Sequence, residues 1–162
     1  MRLKCEDGGS IMVLVIGYAA IAFVLVAAGI DVSKVFLAQR ALSSAADAAA
    51  VAAAEGVDTA QIYDGPDLEC GKALPLDQSL ADSRARYDIA TESPDLARAF
   101  ASLAPPATTV SGATATVSLR GQVRVPFGQL LQWLGIAGSN GTVAVAARAS
   151  ATSPISGSIA SC

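Results

Sequence analysis

Residues 11–30 read IMVLVIGYAAIAFVLVAAGI, a run without one charged side chain. At a helical rise of about 1.5 Å per residue it reaches roughly 30 Å, the thickness of a bilayer's hydrocarbon core. The run is therefore read as a transmembrane helix. A cleaved secretory leader is the competing reading, but the apolar part of a leader usually spans about 7–15 residues and ends in a small-x-small site. This run is longer, and helix-compatible sequence continues past it through Asp31.

Nothing breaks the pattern after Ile30. Residues 31–56, DVSKVFLAQRALSSAADAAAVAAAEG, are rich in alanine and hold no proline and no glycine before Gly56. Such composition favours helix. Val35, Ala38, Leu42, Ala45, Ala49 and Ala52 recur at alternating spacings of three and four and predict a narrow packing seam, while Ser33, Arg40 and Asp47 recur at seven on another side. Small residues let backbones approach closely, against partner helices or the domain's own sheet. Gly56 is read as the stop, in the left-handed conformation that glycine tolerates best. Anchor and extension together predict one helix of about 45 residues, about 65 Å long.

Arg2 and Lys4 precede the span, and Lys34 and Arg40 follow it. The compact N-terminal cluster favours a cytoplasmic tail over residues 1–10, with the rest of the chain extracytoplasmic. Cys5 then stands on one side, Cys70 and Cys162 on the other. In an oxidising compartment a Cys70–Cys162 disulfide would close a long loop and add about 2–4 kcal/mol. Two independent thiols are the alternative, because bonding distance is not written in the sequence.

Beyond the long helix the chain suffices for one small domain. Residues 57–76 read as loop, with glycine, proline and acid in turn-like clusters. Residues 77–90 predict a helix capped by Asp77, and Ser93-Pro94-Asp95 opens a second short one through Leu103, ended by Pro105 and Pro106. Residues 57–106 are thus loop and short helices, and residues 107–152 a β-rich segment. There ATATVSLRGQVRVPF alternates with period two, Gly121 marking a bulge or a turn between two strands. Phe127, Leu130, Leu131 and Leu134 predict a short helix, Asn140-Gly141 a turn, and TVAVAARASA a further strand. Trp133 with Phe127 and the leucines reads as core rather than as an exposed patch. Residues 153–162 form a tail. The fold class expected is α+β: a long membrane helix extending into short helices and a small antiparallel sheet.

The composition narrows function. The net charge is −3, with ten acidic residues in 55–95 facing Lys72, Arg84 and Arg86, while Arg98, Arg120, Arg124 and Arg148 populate the end. Four scattered arginines make no dense cationic stripe, so nucleic acid is not an expected partner. Histidine is absent, which removes Ser-His and Cys-His pairs and histidine metal sites. Asp64, Asp67 and Glu69 share one loop but do not follow the EF-hand spacing. Neither a glycine-rich phosphate loop after a strand nor a serine beside Lys72 supports nucleotide binding or a Ser-Lys dyad. No cofactor, no metal and no catalysis are expected.

From Gly29 to Glu55 the sequence GIDVSKVFLAQRALSSAADAAAVAAAE resembles the N-terminal region of the TadG-like proteins of bacterial Flp (tight adherence) pilus systems. There a membrane helix ends in an aspartate, followed by an arginine, a leucine and an AADAAALAAA-type stretch. The matching positions are Asp31, Arg40, Leu42 and residues 45–54, with Asp47 inside that stretch. The distal strand, short helix and strand resemble TadE/TadG-like proteins more weakly. The resemblance implies a single-pass protein of the bacterial inner membrane that acts by contact with pilus-assembly proteins, pilin subunits or copies of itself. Related pseudopilins are cut after a glycine that has a glutamate five residues on; the fifth residue after Gly9 is Leu14, which fits the uncut TadG-like branch. A different class is a membrane-tethered module that binds wall polymer or a small ligand through the acidic segment 55–95.

Overall fold

The computed structural model describes residues 8–60, 74–92, 94–133 and 141–153. Residues 1–7 with Cys5, Cys70, Cys162, the loop acids Asp64, Asp67 and Glu69, Leu134, Asn140 and residues 154–162 of the C-terminal tail lie outside them. Helix α1, Gly8–Ala54, runs unbroken for 47 residues, about 70 Å by helical rise. It is followed by α2 (Gln78–Glu92), α3 (Pro94–Ala99), β1 (Ser102–Leu103), β2 (Ala107–Ser111), β3 (Thr114–Arg124), α4 (Gly128–Trp133) and β4 (Thr142–Thr152). The fold class is α+β.

Strand β3 organises the sheet. Its alternation of small apolar and polar residues buries Ala115, Val117, Leu119, Gly121 and Val123 on one face. Antiparallel β4 pairs with it along the whole length, from Thr114↔Thr152 to Arg124↔Thr142 without a slip. Gly121 therefore makes neither a bulge nor a turn. It leaves room for a neighbour: a Cβ there would stand 2.5 Å from Cδ1 of Phe100, whose ring is buried against the core.

On its other side β3 pairs with two short segments in turn. Ser102 and Leu103 face Gln122 and Gly121, and Ala107–Ser111 face Ser118 to Thr114. The second short helix accordingly ends at Ala99 rather than running through Leu103, because the β3 ladder captures the chain: the Ala101 and Ala104 amides donate to Gln122 and Arg120 carbonyls at 2.7 and 2.9 Å. Pro105 and Pro106, which have no N–H to give, fall where that edge is interrupted. Gly112, at φ +60, turns β2 into β3 at the position where hairpin turns of the II′ kind place glycine.

Two helices cover the inner face, α1 beneath β4 and β3 and α2 against α1 and β2. The contact is made by alanine. On α1, Ala38, Leu42, Ala45, Ala46, Ala49, Ala50, Ala53 and Ala54 are buried, and on α2, Ala81 and Ala85. Gly56 ends α1, but not through a left-handed conformation, since the described glycines with positive φ are Gly112 and Gly141. A Cβ on Gly56 would stand 2.7 Å from the Ala81 amide nitrogen, so glycine is needed there for α2 to pass the helix end.

Helix α2 starts at its expected cap. Asp77 Oδ1 accepts the Leu80 amide at 2.8 Å and also the Ser79 hydroxyl. The side chain of Gln78, the first residue of α2, then reaches the outer edge of β2. It donates to the Thr108 carbonyl and accepts from the Val110 amide, both at 2.9 Å, as a neighbouring strand would.

Two outcomes test this packing. Gly121→Ala should lower unfolding stability by about 1–3 kcal/mol through overpacking, and a Phe100→Leu background should recover part of the loss in a double-mutant cycle. At Asp77 the Ser79 hydroxyl, then the Leu80 amide, hold the carboxyl below the usual carboxylate range. Its contribution is complete above that range and is lost as pH falls through the lowered pKa. Asp77→Asn, which keeps a capping oxygen but does not titrate, should flatten the acid limb of stability against pH in melts of the detergent-solubilised chain.

Candidate functional site: the corner where helix α1 meets the domain

Every residue of α1 from Ile11 to Val26 is exposed. Leu14 keeps 73% of its surface, Tyr18 76% and Leu25 68%, so this half of the helix is largely uncovered by the described chain. It is long and apolar enough to cross a membrane, and it fits a single-pass membrane protein. Burial begins at Ala27 and Asp31, each 1% exposed and one turn apart on the face that continues through Val35, Ala38 and Leu42.

Asp31 is among the four largest side chains that are fully buried. Its Oδ1 accepts the backbone N–H of Phe127 at 3.2 Å, and its Oδ2 has no hydrogen-bond partner among the described residues. Phe127 sits in the turn between β3 and α4, where the Gly128 amide bonds back to the Val125 carbonyl and the Val125 amide to the Gly141 carbonyl. Gly128 and Gly141 approach so closely that a Cβ on Gly128 would stand 2.6 Å from Gly141 Cα. The Phe127 ring meets Phe23 edge-on, with centroids 6.2 Å apart at 88°. The distal corner of the sheet is thus seated on α1 at the end of its apolar half, one turn either side of Ala27.

The seam residues divide by position. Ala38, Leu42, Ala45 and Ala49 are buried against the chain's own sheet and α2, Val35 is partly buried, and Ala52 is half-exposed while its neighbour Ala53 is fully buried. A 3.5-residue repeat drifts by about 20° per heptad on a straight helix, which moves the inward direction from Ala52 to Ala53. Arg40 and Asp47 are exposed on the opposite side, in line with exposed Val32, Phe36 and Val51. Among the described residues no group of three or more Cys, Asp or Glu stands close enough to share a metal ion.

Residues 9–60 match the family model described as putative Flp pilus-assembly TadE/G-like. The N-terminal segment of this chain is similar to that family. No curated protein and no solved structure matched the chain. The TadE/G-like segment takes in nearly all of α1 and the Gly56 crossing, so it joins the exposed apolar half to the buried alanine face in one unit. The sheet and α2, which cover that face, lie beyond it.

The Phe127 contact was not legible in the sequence, because 96 residues separate the partners and the donor is a backbone amide. It can be tested directly. Asp31→Asn retains an oxygen for the Phe127 N–H and should keep that amide slow to exchange in deuterium. Asp31→Leu leaves the donor without an acceptor and should cost about 1–3 kcal/mol, with exchange at Phe127 accelerated.

Proposed function

We propose that this chain is a membrane-anchored structural or assembly component of a Flp/Tad-type pilus. Residues 1–10 lie in the cytoplasm, α1 crosses the bacterial inner membrane once, and the domain stands on the extracytoplasmic side. It acts by contact with other pilus-assembly proteins, pilin subunits or further copies of itself, and carries out no catalysis.

The observation that supports this reading best is the continuity of α1. One unbroken helix has an apolar half that is exposed from Ile11 to Val26 and a second half that is the centre of the domain's core. A displacement felt by the anchor is therefore transmitted to the domain without a hinge. The match of residues 9–60 to a pilus-assembly family points the same way.

Contact is best supported on the outer face of α1, where Val32, Phe36, Arg40, Asp47 and Val51 form a mixed apolar and charged stripe about 30 Å long. The inner face is already occupied. Exposed positions of this kind change stability by no more than about 0.5 kcal/mol when replaced, so a loss of function there would report a partner. Phe36→Glu, and separately the reversal Arg40→Glu with Asp47→Lys, should leave the amount of membrane-bound chain unchanged and cut surface pili at least tenfold. Normal piliation in both would remove the outer face from the mechanism. Normal piliation on deletion of the gene would remove the pilus role itself.

A further inference from the structure

Next to the exit of α1 from its apolar half, a groove of about 720 Å³ opens between α1, α3 and the end of β3. Lys34, Arg98 and Arg124 line it, together with Leu37, Phe100 and Val123, and no carboxylate is among the described residues that line it. The three cations come from three elements far apart in sequence, and all three are exposed. Phe100 and Val123 are buried beneath them, while Leu37 stays 63% exposed.

The height of this groove is set by α1. Lys34 lies four residues past Ile30, about 6 Å along the helix. With residues 11–30 in the hydrocarbon core, that is the depth of the headgroup layer, which adds roughly 5–8 Å on each side. The groove's lining on α1 runs from Lys34 up to Ala41, about 10 Å of helix, so its lower end opens into that layer and Arg98 and Arg124 line the same groove. An arginine fork and a lysine there suit a phosphate, and Leu37 adds an exposed apolar side chain to the groove wall.

We propose that this groove binds the phosphate headgroup of an anionic phospholipid, which holds the domain at a set tilt on the membrane surface. The proposal rests on the bilayer reading of α1. The binding energy comes chiefly from Lys34 and Arg124, since Arg98 also engages a neighbour within the chain.

The full chain is reconstituted into phosphatidylcholine nanodiscs that carry a minor fraction of phosphatidylglycerol, and the lipids retained on the ejected protein are counted by native mass spectrometry. Phosphatidylglycerol should be retained in preference to phosphatidylcholine. Lys34→Gln and Arg124→Gln should each reduce that preference about fivefold, the order expected for one interfacial cation. Arg148→Gln, on β4 and away from the groove, should leave it unchanged. Equal retention of the two lipids by inserted protein would overturn the site with the anchor intact, whereas failure to insert would overturn the anchor. Loss of the bound lipid to excess inorganic phosphate would assign the groove to free phosphate instead.

Discussion

The closeness of α1 to the sheet is the constraint from which the rest of the domain follows. Alanine at nearly every inward position of the helix, and alanine or valine at most inward positions of β3 and β4, bring the two layers together with little side-chain volume between them. Stability in such a core comes from contact density rather than from large apolar groups. It also leaves no slack, which is why glycine appears where two elements cross: at Gly56 under Ala81, at Gly121 under Phe100, and at the Gly128–Gly141 approach.

A helix that is apolar and exposed in its first half and ends in a protein core changes surroundings along its length. In lipid its backbone satisfies itself and its side chains can be apolar all round. In the domain one face must meet the polar ends of other elements. Asp31 stands at that change. The turn after β3 brings the Phe127 N–H against α1 outside any ladder, and a buried donor without a partner is costly. An aspartate oxygen on the helix supplies the acceptor, at the price of burying a carboxyl group.

How far the sequence disclosed this depends on whether a signal is local. The length of α1, the period-two runs of β3 and β4, the α4 segment and the Asp77 cap are written in neighbouring residues, and the structure has each of them. Strand β1 is two residues long and exists only because β3 lies beside it; no local pattern announces it. Strand β2 alternates too weakly, with only Thr108 fully turned inward, to stand out from loop. The Gln78 clamp on β2 and the Gln39 bond to the Ala146 carbonyl at 2.8 Å on the far edge of β4 are long-range choices by residues that look like ordinary surface. Alanine at helical spacing does not specify what it packs against, and on α1 the inward direction passes from Ala52 to Ala53.

That last ambiguity matters for how the protein associates. The buried positions of α1 are 0–7% exposed outside its apolar half, so a partner helix could reach them only by lifting the sheet away. Lifting it would uncover Leu42, Val117 and Leu119, all fully buried, at about 1.5–3 kcal/mol each. The sum is of the same order as the 5–15 kcal/mol that holds a whole domain folded. What α1 can still offer a neighbour is therefore what the fold leaves outside. In the TadE/G-like segment, Asp31 faces inward and is used up in seating the domain, whereas Arg40 and Asp47 face outward and take no part in the core. One face of α1 builds the domain, and the other stays outside it.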